Sequence, residues 1–193
     1  MFTALTHHLA ALRRRYAEPH RAHHTQAHID ALLAALPVQP LHDPAAVELA
    51  IWYHDAIYDP QRSDNEARSA DLLQADLRHL AHPALVAAAA TMIRATADHR
   101  LPDDLPAALR DDTAIFLDLD MAILGADPGA YDAYAAGIAA EYLPVHGPEK
   151  YAAGRASFLR AALARDRLFL TDRHHAGLDA QARRNLEREL RTY

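Results

Sequence analysis

Cysteine is absent from the 193 residues, which excludes disulfides, thiolate metal sites and cysteine nucleophiles. Such a chain suits a reducing compartment. A positive charge surplus is absent too: the formal net charge is −6 and the isoelectric point about 6.1. That excludes a broad electrostatic grip on a nucleic-acid polymer, so an anionic substrate has to be held locally, by a metal ion or a few arginines. Residues 1–8 lack the basic-then-apolar order of a secretory signal. The longest apolar run, residues 85–93, falls well short of the roughly 20 residues a spanning helix needs. The expectation is a soluble, cytoplasmic protein with no membrane partner. Only 6 glycines are present, which disfavours disorder and β-rich folds.

Apolar residues, many of them alanine, make up 51% of the chain, and its length suffices to bury the core of one ordinary domain. Histidine is the unusual component, with 14 residues against 20 Lys and Arg, and it directs attention to metal chemistry. Helical signals recur along the chain. Leu5, Leu9, Leu12 and Tyr16 stand at helical spacing ahead of the break at Glu18-Pro19. Thr25 is placed to cap a helix through Leu36, and Asp43-Pro44 opens one through Ile51 and His54 to about Tyr58. Ser63 with Glu66 reads as a capping box for a helix to about Leu80. His82-Pro83 starts an alanine-rich helix to Thr96, and residues 107–124 hold one or two more. Asp127-Pro128 caps another, to Tyr142. Residues 144–148 read as a loop, residues 149–167 as a helix and residues 179–190 as a charged closing helix. The sum is an all-α protein of about nine helices, with residues 1–193 as a single domain.

Three stretches carry chemistry. In the first, His24 and His28 stand four apart, which on a helix puts them on one face. In the second, His54-Asp55 interrupts an apolar and aromatic run, Ile51 to Tyr58. Imidazole and carboxylate are costly to bury without partners, and a divalent ion satisfies both. In the third, Asp118 and Asp120 lie in a segment apolar nearly all round. Buried carboxylates are normally paired or metal-bound. Two positions apart, they face opposite sides of a helix, and periodicity does not choose between them.

The order His28, His54-Asp55, Asp120 resembles the His…His-Asp…Asp pattern of the HD superfamily of metal-dependent phosphohydrolases. Residues 16–29, 52–59, 64–70 and 116–125, with Tyr151, Gly154-Arg155 and residues 182–186, are similar to a small bacterial branch of predicted HD phosphohydrolases. The resemblance covers nearly the whole chain and implies an HD-type helical bundle. It implies His28, His54, Asp55 and Asp120 as ligands of one or two divalent ions (Mn, Fe, Zn, Co, Ni or Mg). By analogy with cyclic-nucleotide phosphodiesterases, it implies His24 as general acid. The reaction implied is attack of metal-activated water on a phosphomonoester or phosphodiester of a small, nucleotide-like substrate.

Glu66 is either the capping-box residue or a base near the metal-activated water. His99 is a candidate for a second metal or for substrate phosphate, or a surface histidine. Arg155 is a candidate phosphate clamp or an ion-pair partner. The pairs His7-His8 and His174-His175 read as solvated surface. Three rival readings remain: a non-catalytic metal- or nucleotide-binding module, a di-iron oxygenase on the same fold, and a structural helical protein. A homo-oligomer is compatible with each.

Overall fold

A computed structural model describes residues 2–193, with side chains from His8 onward; His7 lies outside the described side chains. Among the described residues there are eight α-helices, two short 3-10 turns and no strand. The chain divides into two compact units, Met1–Leu117 and Asp118–Tyr193.

In the first unit, α1 (Phe2–Arg15) ends on three arginines, where positive charge suits the C-terminal dipole. Next comes α2 (Gln26–Ala35), whose last turn tightens into a 3-10 turn at Leu36–Val38. Asp43 caps α3 (Pro44–Tyr53) by accepting the Ala46 N–H at 3.1 Å, and Pro44 stands at the first helical position. A second acid reinforces this start. Asp112, buried on α6 (Ala107–Met121), accepts the backbone N–H groups of His42 at 2.8 Å and Asp43 at 2.7 Å.

With α4 (Asn65–Leu77) and α5 (Pro83–Ala95), α3 builds the core: Val47, Ala50, Ile51, Leu73, Ala89, Met92 and Ile93 are buried among these helices. Because α3 is apolar nearly all round, its C-terminal end lies deep in the unit. That depth sets the environment of everything that follows Tyr53.

In the second unit, Asp127 caps α7 (Pro128–Leu163) by accepting from Gly129 and Ala130, and α8 (Asp172–Leu190) closes the chain. Leu124, Tyr131, Leu159, Phe169, Ala182 and Leu186 form the core. The expected loop at residues 144–148 reduces to a kink. Only Gly147 leaves helical geometry, at φ 75°, a conformation glycine adopts without steric cost. Gly125, closing the 3-10 turn Ala122–Gly125, lies so near α8 that a β-carbon there would stand 2.7 Å from that of Leu178.

Two expected helix starts differ. The N-cap of α4 is Asp64, not Ser63, and its side chain is engaged by Arg62 at 2.6 Å through both oxygens. The closing helix begins at Asp172, capped by Thr171, rather than at Asp179. The 3.6-residue pattern there is diluted by exposed charged residues such as Asp172, Arg173 and Arg184, so the cap was a weaker signal than the charged run behind it.

Candidate metal centre

His54 is the C-cap residue of α3, its backbone N–H still bonded to Ala50 at 2.9 Å. Its ring is buried, 1% exposed, and meets Phe116 of α6 edge-on. Nδ1 lies 3.0 Å from the Ile51 carbonyl. A carbonyl only accepts, so Nδ1 carries the proton. In neutral imidazole Nε2 then bears the lone pair.

Two further groups stand around that lone pair. His28 Nε2 is 3.2 Å away and the Asp55 Oδ2 3.0 Å away, while His28 Nε2 and Asp55 Oδ2 are 3.8 Å apart. A buried lone pair facing a carboxylate is unfavourable unless a cation lies between them. A His28 tautomer that donates from Nε2, an extra proton or a metal ion each relieves it.

The donor set could hold a metal ion. Ligands about 2.0–2.1 Å from a common ion lie roughly 3.0–3.4 Å from one another in octahedral or tetrahedral arrangement, which brackets the two short separations. A histidine ligand also usually donates its other ring N–H to a carbonyl or carboxylate, as His54 does to Ile51.

The fourth expected ligand comes from α6. Asp120 lies four residues after Phe116 on α6. One ring nitrogen each of His28 and His54 and one carboxylate oxygen of Asp120 lie within 4.8 Å of one another, a group able to hold a metal ion.

Asp118 is engaged elsewhere. Its carboxylate accepts the backbone N–H of Leu170 at 2.6 Å, that of Thr171 at 2.8 Å and the Thr171 hydroxyl at 2.7 Å. It is the anchor of the turn that starts α8, which leaves Asp120 as the acid of the cluster.

The loop before α2 supplies further histidines. His24 lies ahead of the helix, not on it, so the expected shared helical face does not bring it to His28. The loop does: the two rings are 6.4 Å apart, and His24 packs on Tyr58 at 4.3 Å. Thr25 occupies the N-cap position but makes no side-chain cap.

His23, absent from the sequence-based candidates, has its ring 5.1 Å from that of His28 and 4.9 Å from that of His24. Its only sequence signal was membership of a histidine-rich stretch. The segment after Asp55 is gripped by α4. Ser69 exchanges hydrogen bonds with the N–H and carbonyl of Ile57, and Asn65 does the same for Asp59. Two buried polar residues four apart on one helix face were the available clue to that pair.

Other expected residues fall as follows. Glu66 stands half-buried in the first turn of α4; with Asp64 as N-cap, the Ser63 capping box does not form. His99 lies in the turn after α5 with φ 51°, a left-handed conformation uncommon outside glycine but tolerated by histidine.

Arg155 does not present an open fork to an anion. It is buried, with Nε and a terminal nitrogen on the two oxygens of Glu189 at 2.8 and 2.9 Å, and stacks on Tyr134 and Phe158. Burial disfavours both charges, yet their mutual hydrogen bonds hold the Glu189 carboxyl below its usual range and push the Arg155 guanidinium above its own. The geometry is that of a structural ion pair, completed by Tyr131 donating to Glu189.

His8 and His174, read as solvated surface, are partly buried against partners, while the His175 side chain is 38% exposed. His8 lies against Asp76 at 3.2 Å, and His174 Nδ1 is 2.9 Å from the Thr171 hydroxyl. Asp76 is remote in sequence from His8, whereas Thr171 is the N-cap of the helix that carries His174.

Comparison of the chain with protein-family models, curated proteins and solved structures gives no match.

Proposed function

We propose that this protein is a metal-dependent phosphohydrolase of the HD type, acting on a phosphomonoester or phosphodiester of a small, nucleotide-like substrate. The observation that supports it is the cluster of His28, His54 and Asp120 donor atoms within 4.8 Å, with His54 held so that its lone pair faces the other donors. His28, His54 and Asp120 hold the ion, and Asp55 adds a carboxylate on the same side. The ion's contribution is to acidify a water and to shield the phosphoryl oxygens.

The chain's own groups do the rest. The Ile51 carbonyl fixes the His54 tautomer. His24, in the loop beside His28 with its ring tilted against Tyr58, hands a proton to the leaving oxygen in this scheme. His20, with a ring nitrogen 3.1 Å from the Tyr58 carbonyl, steadies the same loop. No described helix is long and apolar enough to cross a membrane, and we read the protein as cytoplasmic.

The test is hydrolysis of a panel of phosphomonoesters and phosphodiesters with Mn, Fe, Co, Ni, Zn or Mg. His28→Ala is expected to lose both metal and turnover, and His24→Ala to keep metal and lose turnover. A metal-replete protein that hydrolyses none of the panel would instead be a binding module.

A further inference from the structure

A buried guanidinium stands behind the site with no place in the scheme above. Arg21, in the loop between α1 and α2, has a side chain fully shielded from solvent. One terminal nitrogen donates to the Asp55 carbonyl at 2.7 Å and to the His24 carbonyl at 3.1 Å, and the other to the Ala56 carbonyl at 3.3 Å. Nε donates to Glu18 at 3.1 Å. Its flat faces lie over Tyr16 and Tyr58, with centroid distances of 5.2 and 5.3 Å.

Burying a charge is costly, and an apolar side chain would fill the space at less expense. What an apolar residue cannot do is hold three carbonyls from two separate segments at once. Those carbonyls belong to the loop that carries His23 and His24 and to the residue pair that follows His54. A fork of fixed geometry is needed, and a lysine ammonium, a compact charge on a flexible stem, does not reproduce it.

We infer that Arg21 is the positioning residue of the metal centre, a clamp that sets the His24 loop against the Asp55-Ala56 backbone so that the donor atoms converge before the ion binds. This rests on the metal-binding reading above. The ion then meets preorganised ligands, and the benefit is read in metal affinity and coordination geometry rather than in fold stability alone.

The experiment is a titration of the apo full-length chain with cobalt(II), following the visible absorbance band and the affinity by chelator competition. Arg21→Lys is compared with wild type at temperatures where circular dichroism shows both folded. Loss of a supporting partner of this kind typically costs about 10–100-fold in metal affinity. We expect a loss in that range for Arg21→Lys, with a weakened or shifted band reporting altered geometry. A purely structural role would lower the melting temperature and leave the cobalt affinity and band of the folded protein unchanged, and that result overturns the inference.

Should Arg21→Lys fail to fold, Glu18→Gln decides. It removes the charge that orients Nε, from a side chain 36% exposed, and several-fold weaker cobalt binding is expected; unchanged binding overturns the inference. Wild-type protein that takes up no cobalt refutes the metal reading itself. Equal uptake by wild type and variant refutes only the role of Arg21.

Discussion

Asp118 and Asp120 stand two residues apart on α6, and the structure gives them separate duties that mutation should pull apart. Asp118→Ala removes three hydrogen bonds from a buried carboxylate, two of them from backbone N–H groups. A hydrogen bond to a charged group contributes about 1.5–3 kcal/mol net. Leu170 and Thr171 are only half-buried, so water reaches part of what is freed, and the expected loss is about 3–5 kcal/mol. Asp120→Ala, at a half-buried position, is expected to cost the metal-free protein clearly less. In metal retention the order reverses: Asp120→Ala loses the ion, while folded Asp118→Ala keeps it. Urea unfolding in the presence of chelator gives the first quantity, and metal analysis after reconstitution gives the second. Asp118→Ala matching wild-type stability, or losing the metal that Asp120→Ala retains, would refute the division of labour.

Arg155→Ala breaks a buried, bidentate ion pair with Glu189 and is expected to destabilise by about 3–5 kcal/mol. Metal content and, below the melting transition, any KM for a phosphate ester should not move; a selective rise in KM would restore the phosphate-clamp reading. Glu189 also predicts acid sensitivity. Burial raises its pKa, but the hydrogen bonds from Arg155 and Tyr131 outweigh it and the net shift is downward. A carboxyl lowered on folding contributes stability that is present above its unfolded pKa and is lost as pH falls through the folded one. Stability of the wild type should therefore decline below the ordinary carboxylate range, and Glu189→Gln should flatten that decline while lowering stability near neutrality. Parallel acid limbs in the two proteins would argue against the assignment.

The sequence revealed what is local. Asp43-Pro44 and Asp127-Pro128 announce α3 and α7 because a cap and its helix lie in adjacent residues. It was the resemblance to the HD pattern, not periodicity, that grouped Asp120 with His28 and His54, and the structure brings one donor atom of each within 4.8 Å of the others. The choice between Asp118 and Asp120 was not legible, because the partners of Asp118 lie more than fifty residues away in the turn before α8. Arg21 was invisible for the same reason: its carbonyl partners at Asp55 and Ala56 are set by tertiary folding, not by spacing. His24 was expected on a helical face and is instead delivered by a loop, a difference between two placements that both bring it near His28.

The most direct measurement is the number of divalent ions bound per chain after reconstitution of chelator-stripped protein, for wild type beside His54→Ala. The sole tryptophan, Trp52, lies two residues before His54, and its fluorescence offers an independent signal through quenching by paramagnetic cobalt(II). The account predicts at least one ion in the wild type, none in His54→Ala, and quenching only in the former. An ion retained by folded His54→Ala, or none taken up by the wild type with any of the six metals, would contradict it.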